Sequence, residues 1–292
     1  MYSNGGDNIK IKNTIVFILI LFLFVSLVGV VCASEDSATN NITLTDTGDS
    51  ISQSTSSDSA MDKLQSSNDN ELLAADHDLS GSTLAEIQTY LNNGSVVEGD
   101  TLYLGTGTWG SGTWGPWDAN QVVNVNIPNI TISGGTSTNP SGFAAISAGS
   151  KIFSLNAPGI TLKNIQFTTQ QNPCLAVNIN SDDCTVSNCV FDHCYNQNGG
   201  AIHSTSDSSN AKIENCNFTN NEAIWGGSGG AMHLEGSSTE ITGCNFDGNT
   251  AQNYGAIHST GTLIITDSNF DSNTASGSSG AIHSTGTLDS WL

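Results

Sequence analysis

The chain has 292 residues, six lysines against 27 acidic residues, no arginine and a formal net charge of −21. Nucleic acids and anionic lipid surfaces are excluded as partners, because binding to phosphate groups depends on lysine and arginine. Without arginine the chain also lacks the planar fork that usually holds phosphates and acidic polysaccharides. Only 11% of residues are charged and 7% aromatic, which favours a thin, repetitive structure over a thick-cored enzyme.

The N-terminus reads as an export signal over residues 1–33. Lys10 and Lys12 precede an apolar stretch that runs to Val31, and Val31-Cys32-Ala33 resembles a cleavage site. An uncleaved membrane anchor is the alternative, since the stretch is close to the minimum length of a spanning helix. Both interpretations predict an extracellular or cell-surface protein that contacts the membrane only through this segment.

Residues 34–80 are rich in Ser, Thr, Asp and Asn, with apolar residues too few and too aperiodic to form a core. We therefore predict a disordered linker. The candidate glycosylation sites, each at the start of an Asn-x-Ser/Thr sequence, are Asn41 in this linker and Asn93, Asn129 and Asn217 beyond it.

The folded domain is predicted to span residues 81–292 and to be incomplete at its C-terminal side. An amphipathic helix from Ser82 to Leu91 is expected to cap the open end of the core. A first strand follows in Gly99 to Gly105. Trp109, Trp114 and Trp117 stand among glycines shortly after it, and they are candidates either for stacking on a sugar ring or for covering an early coil.

Five segments between residues 160 and 270 align without gaps, and each ends in phenylalanine. The spacings between these phenylalanines are 24, 27, 28 and 24 residues. Two columns are predicted to form apolar ladders inside the fold: Phe167, Phe191, Phe218, Phe246 and Phe270, and, five residues earlier in each segment, Leu162, Val186, Ile213, Ile241 and Ile265.

Two further columns lie between those ladders. Asn164, Asn188 and Asn215, continued by Gly243 and Asp267, tolerate a left-handed backbone and so predict a sharp corner between two short strands. Cys189, Cys216 and Cys244 are expected to face inward as small apolar fillers with reduced thiols.

A Gly-Ala-Ile-His type block recurs after each phenylalanine and a polar loop, with its glycines 30, 25 and 25 residues apart. Each period therefore supplies several strands that one coil cannot bury alone, so coils must stack at about 4.8 Å per rung. The predicted fold is all-β: a right-handed single-stranded parallel β-helix of about six to seven coils with a short N-terminal capping helix.

The histidines of this block occupy equivalent positions and are expected to face outward: His203, His233, His258 and His283. They form either a stripe that binds a transition metal or a surface ladder of neutral rings stacked face to face. No other cofactor is indicated. The acidic residues that could serve as an acid–base pair or as calcium ligands are Asp182, Asp183, Asp192 and Asp207. The alternative is that they are solvated loop residues.

The pairing of Phe-x-x-Asn with Gly-Gly-Ala, seen as FTNN and then GGAM, resembles the repeat of chlamydial polymorphic outer-membrane proteins. The leading GDTLYLGTGTW, with its preceding helix, is similar to the start of methanogen archaeal adhesin-like proteins. Together the likeness covers about Leu79 to Leu292. It implies a surface-displayed β-helix that attaches to glycans or surface proteins of other cells without enzymatic activity.

β-Helix pectin enzymes are similar in predicted fold only. Polygalacturonases combine their aspartates with Gly-His-Gly and Arg-x-Lys motifs, and pectate lyases use a basic residue as proton acceptor; neither arrangement is present here. A secreted or cell-surface adhesin-like protein is therefore the expected function. A polysaccharide lyase or hydrolase and a structural envelope protein stay open as alternatives.

Overall fold

The structure, a computed structural model, describes residues 73–109, 122–147, 152–168 and 173–291. The predicted signal peptide, residues 1–33, and the predicted linker up to residue 72 lie outside these ranges. One helix is present in the described residues, α1 (Leu84–Leu91). No described helix is both long enough and apolar enough to cross a bilayer.

The remaining elements are short strands in four sheets, numbered here in chain order. Sheet A contains β1 (Asp76–Asp78), β2 (Thr101–Tyr103), β5 (Thr131–Ser133), β8 (Thr161–Lys163), β11 (Thr185–Ser187), β15 (Ala211–Glu214), β19 (Ser238–Thr242), β23 (Thr262–Thr266) and β27 (Leu288–Trp291). Sheet B contains β3 (Gly107–Trp109), β6 (Ala144–Ser147), β9 (Ile165–Thr168), β12 (Val190–Asp192), β16 (Asn217–Thr219), β20 (Asn245–Asp247) and β24 (Asn269–Asp271). Sheet C contains β13 (Tyr195–Asn196), β17 (Glu222–Ser228), β21 (Thr250–Asn253) and β25 (Thr274–Ala275). Sheet D contains β4 (Val123–Val125), β7 (Phe153–Leu155), β10 (Val177–Ile179), β14 (Ile202–Ser204), β18 (Met232–Leu234), β22 (Ile257–Ser259) and β26 (Ile282–Ser284).

From β2 to β10 the described strands run through sheets A, B and D in turn, and from β11 onward they run through sheets A, B, C and D. Each coil then returns to sheet A one rung further along. All pairings between these strands are parallel. The predicted all-β parallel solenoid is therefore confirmed, with about eight turns rather than six to seven. The difference arises at the two ends, where β1 and β27 extend sheet A beyond the repeats that the count covered.

The predicted apolar ladders form the core. Leu162, Val186 and Ile213 are register partners on successive strands of sheet A, and Ile241 and Ile265 continue the column, all fully buried. The five phenylalanine rings of sheet B stack at centroid distances of 4.6–4.9 Å and interplanar angles of 3–9°. Strand spacing in a sheet imposes this distance, so each ring inside the stack has its two faces covered by the rings before and after it.

The cysteine column also faces inward, as predicted. Cys189, Cys216 and Cys244 are buried free thiols, and the backbone N–H groups of the first two donate to the sulfur of the next coil at 3.4 Å. Ser268 ends the column, where its hydroxyl accepts from the Cys244 N–H at 3.1 Å. The column therefore fills space and receives backbone hydrogen bonds at the same time.

The corner between sheets A and B has the predicted left-handed backbone. Asn164, Asn188 and Asn215 have φ of 58°, 50° and 52°, and Gly243 and Asp267 continue the column. Sequence reasoning missed two more such columns. His193, Asn220, Gly248 and Ser272 follow sheet B, and Asn129, Gly159, Asp183 and Asn210 precede sheet A.

A second asparagine ladder lies inside the fold, at the third position after the phenylalanine of sheet B. Asn221 and Asn249 are fully buried, and each side chain donates both to a phenylalanine carbonyl and to the asparagine of the next coil. Asn273 ends this ladder and donates to the Phe246 carbonyl at 2.9 Å. These bonds satisfy the backbone where the chain turns from sheet B to sheet C.

The N-terminal end differs from the prediction in one respect. The capping helix is confirmed: Thr83 and Glu86 form a capping box, and the apolar face of α1 joins the core. However, β1 precedes this helix, within the segment assigned to the linker, and pairs with β2. Asp100 holds it there, because its buried carboxylate accepts from the Ala75 N–H at 2.7 Å and lies 2.8 Å from His77 Nε2.

Candidate functional site

The predicted histidine column lies on the outer face of sheet D. His203, His233, His258 and His283 are register partners on four successive strands. Ile202, Met232 and Ile257, the residues before the first three, are fully buried. Alternation along each strand therefore turns the imidazoles outward, as expected. His233 is nevertheless covered by its neighbours, with only 9% of its side chain exposed.

The rings do not form the expected face-to-face stack along the whole column. His233 meets both His203 and His258 edge to face, at centroid distances of 5.5 and 4.6 Å. Edge-to-face contact places the positive edge of one ring against the negative face of the next, which favours it over a direct sandwich. Only the last pair is stacked, and the ring of Tyr254 covers His283 at 3.7 Å and His258 at 4.7 Å.

One carboxylate accompanies this column. Glu235 lies 3.6 Å from His203 Nε2 and 3.4 Å from His233 Nε2. Burial, reinforced by the neighbouring imidazoles, lowers the pKa of His233 to about 4 and also lowers the pKa of His258. Both of these rings are therefore neutral at pH 7. Glu235 directly follows β18, two residues after His233.

The metal-stripe interpretation gains no support from this geometry. Across the ranges that the structure describes, no three or more His, Cys, Asp or Glu side chains are arranged to hold a metal ion. The buried Nδ1 atoms of His233 and His258 lack hydrogen-bond partners. Each of these rings instead lies edge to face or stacked against aromatic neighbours, so the column is a packed ladder.

A groove of about 650 Å³ opens on sheet C, on the part of each coil that precedes sheet D. Its lining comes from three successive coils: Glu222, Ala223, Ile224, Trp225 and Gly226 of β17, Thr250, Ala251 and Gln252 of β21, and Thr274 and Ser276 at β25. Its size falls within the range of small-molecule sites in proteins.

A bulge in β17 forms one wall of this groove. Glu222 and Ala223 pair with Thr250 and Ala251, but the next paired residue is Ser228, opposite Asn253. The chain between them leaves the sheet, with left-handed backbone at Trp225 (φ 54°) and Gly226 (φ 82°). Gly227 must be glycine, because a Cβ there would lie 1.5 Å from the Gln197 carbonyl oxygen.

Trp225 is the unusual residue of the groove. Its side chain is 73% exposed, so it contributes little to the core. A left-handed backbone costs a non-glycine residue about 1–2 kcal/mol. Sequence reasoning missed this tryptophan, although the 30-residue spacing between Gly200 and Gly230, against 25 elsewhere, marks an insertion that contains it.

The polar side of the groove consists of aligned side chains. Glu222, Thr250 and Thr274 are register partners on β17, β21 and β25, and the alanines beside them form a second column. Gln252 and Ser276 add an amide and a hydroxyl. The groove thus combines an exposed aromatic ring with a row of hydrogen-bonding groups spaced by one rung.

The three tryptophans that are candidates either for stacking on a sugar ring or for covering an early coil have side chains outside the described atoms. Trp109 ends β3, and its side chain lies outside the described atoms. Trp114 and Trp117 fall in residues 110–121, outside the described residues.

The candidate glycosylation sites have different surroundings. Asn93 and Asn217 are exposed, the first in a turn that its side chain closes by accepting from the Ser95 N–H. Asn129 is exposed too, but its amide donates to Glu98. Asn41 lies outside the described residues. Use of these sites therefore stays a prediction.

The acidic residues weighed for catalysis take part in local contacts. Asp182 accepts from the Ser209 hydroxyl at 2.6 Å, and Asp183 accepts from the Asn210 amide at 3.2 Å, both across to the next coil. Asp192 contacts the adjacent His193, and Asp207 is exposed in a loop. The first two carboxylates are thus tied to corners of the solenoid, which agrees with the loop interpretation.

Residues 151–289 match a family model described as "Right handed beta helix region". This chain is a parallel β-helix repeat protein. The match spans the coils that carry the phenylalanine ladder, the histidine column and the groove, and it agrees with the predicted handedness. No curated protein and no solved structure shows significant similarity to the chain.

Proposed function

We propose that this β-helix is a secreted or cell-surface adhesin-like protein that binds glycans through the groove on sheet C and has no enzymatic activity. The observation that carries the proposal is Trp225, an exposed tryptophan held in a left-handed backbone at the wall of the groove. Local backbone strain of this kind is concentrated at functional sites.

A tryptophan in this position makes sense if it contacts a ligand. Folding gains little from the ring, because most of it stays in water, and the backbone geometry opposes it. Tryptophan is enriched among the residues that dominate binding energy, because its large rigid face buries much apolar area at low entropic cost. The apolar face of a sugar ring is a suitable partner, and the hydroxyls of Thr250 and Thr274 suit the sugar's own hydroxyls.

Charge and the N-terminal sequence support the same proposal. The net charge of −21 disfavours nucleic acids and anionic surfaces, whereas uncharged or cationic glycans experience no repulsion. The export signal predicted in residues 1–33 would deliver the domain to the outside of the cell, where cell-surface glycans and surface proteins of other cells are available. The adhesin-like resemblance of the Phe-x-x-Asn and Gly-Gly-Ala repeats agrees with this location.

A glycan array run beside a reducing-sugar release assay tests the proposal. The native chain should bind a set of glycans without releasing reducing ends, and Trp225→Asn should abolish that binding. Asparagine tolerates the left-handed region, so this variant should keep or slightly raise the melting temperature.

Trp291→Asn is the matched control, because Trp291 is 72% exposed but lies in β27, away from the groove. Retained binding in this variant would support the groove as the site. Equal loss in both variants would contradict it. Release of sugars by the native chain would favour the lyase or hydrolase alternative, and no binding at all would favour a structural envelope protein.

A further inference from the structure

Of the described residues that line the groove, Glu222 is the one that carries a charge. It lies in β17 next to Tyr195 of β13 and Thr250 of β21 in the parallel register. Among the described residues, the ion pairs all involve histidines elsewhere, and none includes Glu222. A carboxylate at the edge of a cavity without a nearby cation attracts one from solution.

None of the described residues that line the groove is basic. Its other members are aliphatic, aromatic, hydroxyl or amide residues and glycine. The lysines that the structure describes, Lys163 and Lys212, belong to β8 and β15 of sheet A. A ligand bearing carboxylates, such as a uronic acid chain, would therefore meet a like charge without compensation.

Trp225 supplies the second element of cation recognition. An ammonium group near the face of an indole is attracted by the ring quadrupole, and tryptophan is the strongest of the aromatic residues in this respect. Glu222 and Trp225 line the same groove, three positions apart on β17. The hydroxyls of Thr250 and Thr274 meanwhile provide hydrogen bonds for a ligand rich in hydroxyl groups.

We infer that the groove selects glycans that carry free amino groups, with the ammonium placed between Glu222 and Trp225 and the sugar hydroxyls on the threonine column. This inference rests on the proposed function, since it names the glycan class for the same groove. It separates the two roles: Trp225 supplies general affinity for sugars, whereas Glu222 supplies the preference for a positive charge.

Calorimetric titration with three probes of equal length tests the inference: glucosamine oligomers, N-acetylglucosamine oligomers and galacturonic acid oligomers. The native chain should bind the glucosamine oligomers most tightly, and the galacturonic acid oligomers should not bind. Glu222→Gln should weaken the binding of glucosamine oligomers about tenfold, as for the loss of one charge-assisted contact, and leave the acetylated oligomers unchanged.

Glu240→Gln is the matched control, because it removes the same charge from β19 on sheet A, outside the groove. Unchanged affinity in this variant would support a local effect. Acetylated oligomers that bind as tightly as free amines, or an equal effect of Glu222→Gln on both, would overturn the inference. The proposed function would still stand in that case if Trp225→Asn abolished binding of the acetylated oligomers.

Lysine oligomers form a fourth probe. Tight binding of the native chain to them, equal to that of glucosamine oligomers, would overturn the assignment to glycans in favour of a basic peptide ligand. Weak binding would support it, because a peptide lacks the row of hydroxyls that the threonine column accommodates.

Discussion

Replacing Asn249 with alanine should remove more stability than any other single polar substitution in sheets B and C. The side chain is fully buried and makes four hydrogen bonds. Its amide donates at 2.9 Å to the Phe218 carbonyl and to Asn273 Oδ1. Its oxygen accepts from the backbone and side-chain nitrogens of Asn221, at 3.1 and 2.9 Å. The substitution removes the bonds of the Phe218 carbonyl and the Asn221 N–H. The Asn221 amide keeps its bond to the Phe191 carbonyl, and Asn273 Oδ1 keeps the bond from the backbone N–H of residue 249.

Each unsatisfied buried group costs about 1 kcal/mol or more, so the loss from these two groups should amount to at least about 2 kcal/mol. This is a large part of the stability of an ordinary domain. Because each coil contacts only its neighbours, the damage should be centred on the two coils beside Asn249. Urea denaturation followed by far-ultraviolet circular dichroism measures the loss from the shift of the first transition.

Asn245→Ala is the matched control, since it removes the same chemical group from the same coil. Asn245 lies on the outer face of β20 and accepts one bond, from the Asn269 amide at 3.0 Å. Water replaces that partner, so the loss should stay below about 1 kcal/mol. Equal shifts for the two variants would refute the view that the inner asparagine ladder satisfies the backbone of the solenoid.

Three further predictions concern the corners, the histidine column and the thiols. Asn215→Val should lose about 1–3 kcal/mol through strain at its left-handed corner, whereas Asn220→Ser should be tolerated because Ser272 already adopts the same conformation two coils further along the same column; a comparison of the two melting curves checks both. The folded-state pKa of His233, about 4, lies below its ordinary value of 6.5, so the unfolded chain takes up the proton more readily. Stability should therefore fall between pH 6.5 and 4 and level off below that range, and His233→Gln should flatten the profile of urea midpoints, whereas an unaltered profile would contradict the packing argument. Cys216 should resist iodoacetamide in the native chain and react after unfolding, because burial raises the pKa of its thiol well above the ordinary value; peptide mapping by mass spectrometry measures this.

The columns could be predicted from the sequence because a solenoid repeats one environment. A residue that faces inward in one coil lies above the equivalent residue of the next, so the same side chain must suit both. Phe191 and Phe218 illustrate this, since their rings stack at 4.7 Å although 27 residues separate them. The left-handed corner at Asn188 was likewise predictable, because few residues tolerate that backbone.

The candidate site was harder to predict, because it arises where the repeat is interrupted. Trp225 belongs to an insertion between two paired positions of β17, and an alignment of repeats leaves such residues out. The direction in which the inserted residues project depends on the bulge and on the glycine at position 227.

The period of the chain and the side chains within it were thus sufficient to establish a parallel solenoid, its ladders and its corners, since these depend on local chemistry repeated in register. Three features are decided only by the tertiary structure. They are the placement of β1 by Asp100, the position of the Glu235 carboxylate near two imidazoles, and the groove beside Trp225. In each case the residues come together because different coils wind past one another or because the repeat is interrupted. No local sequence pattern indicates such contacts.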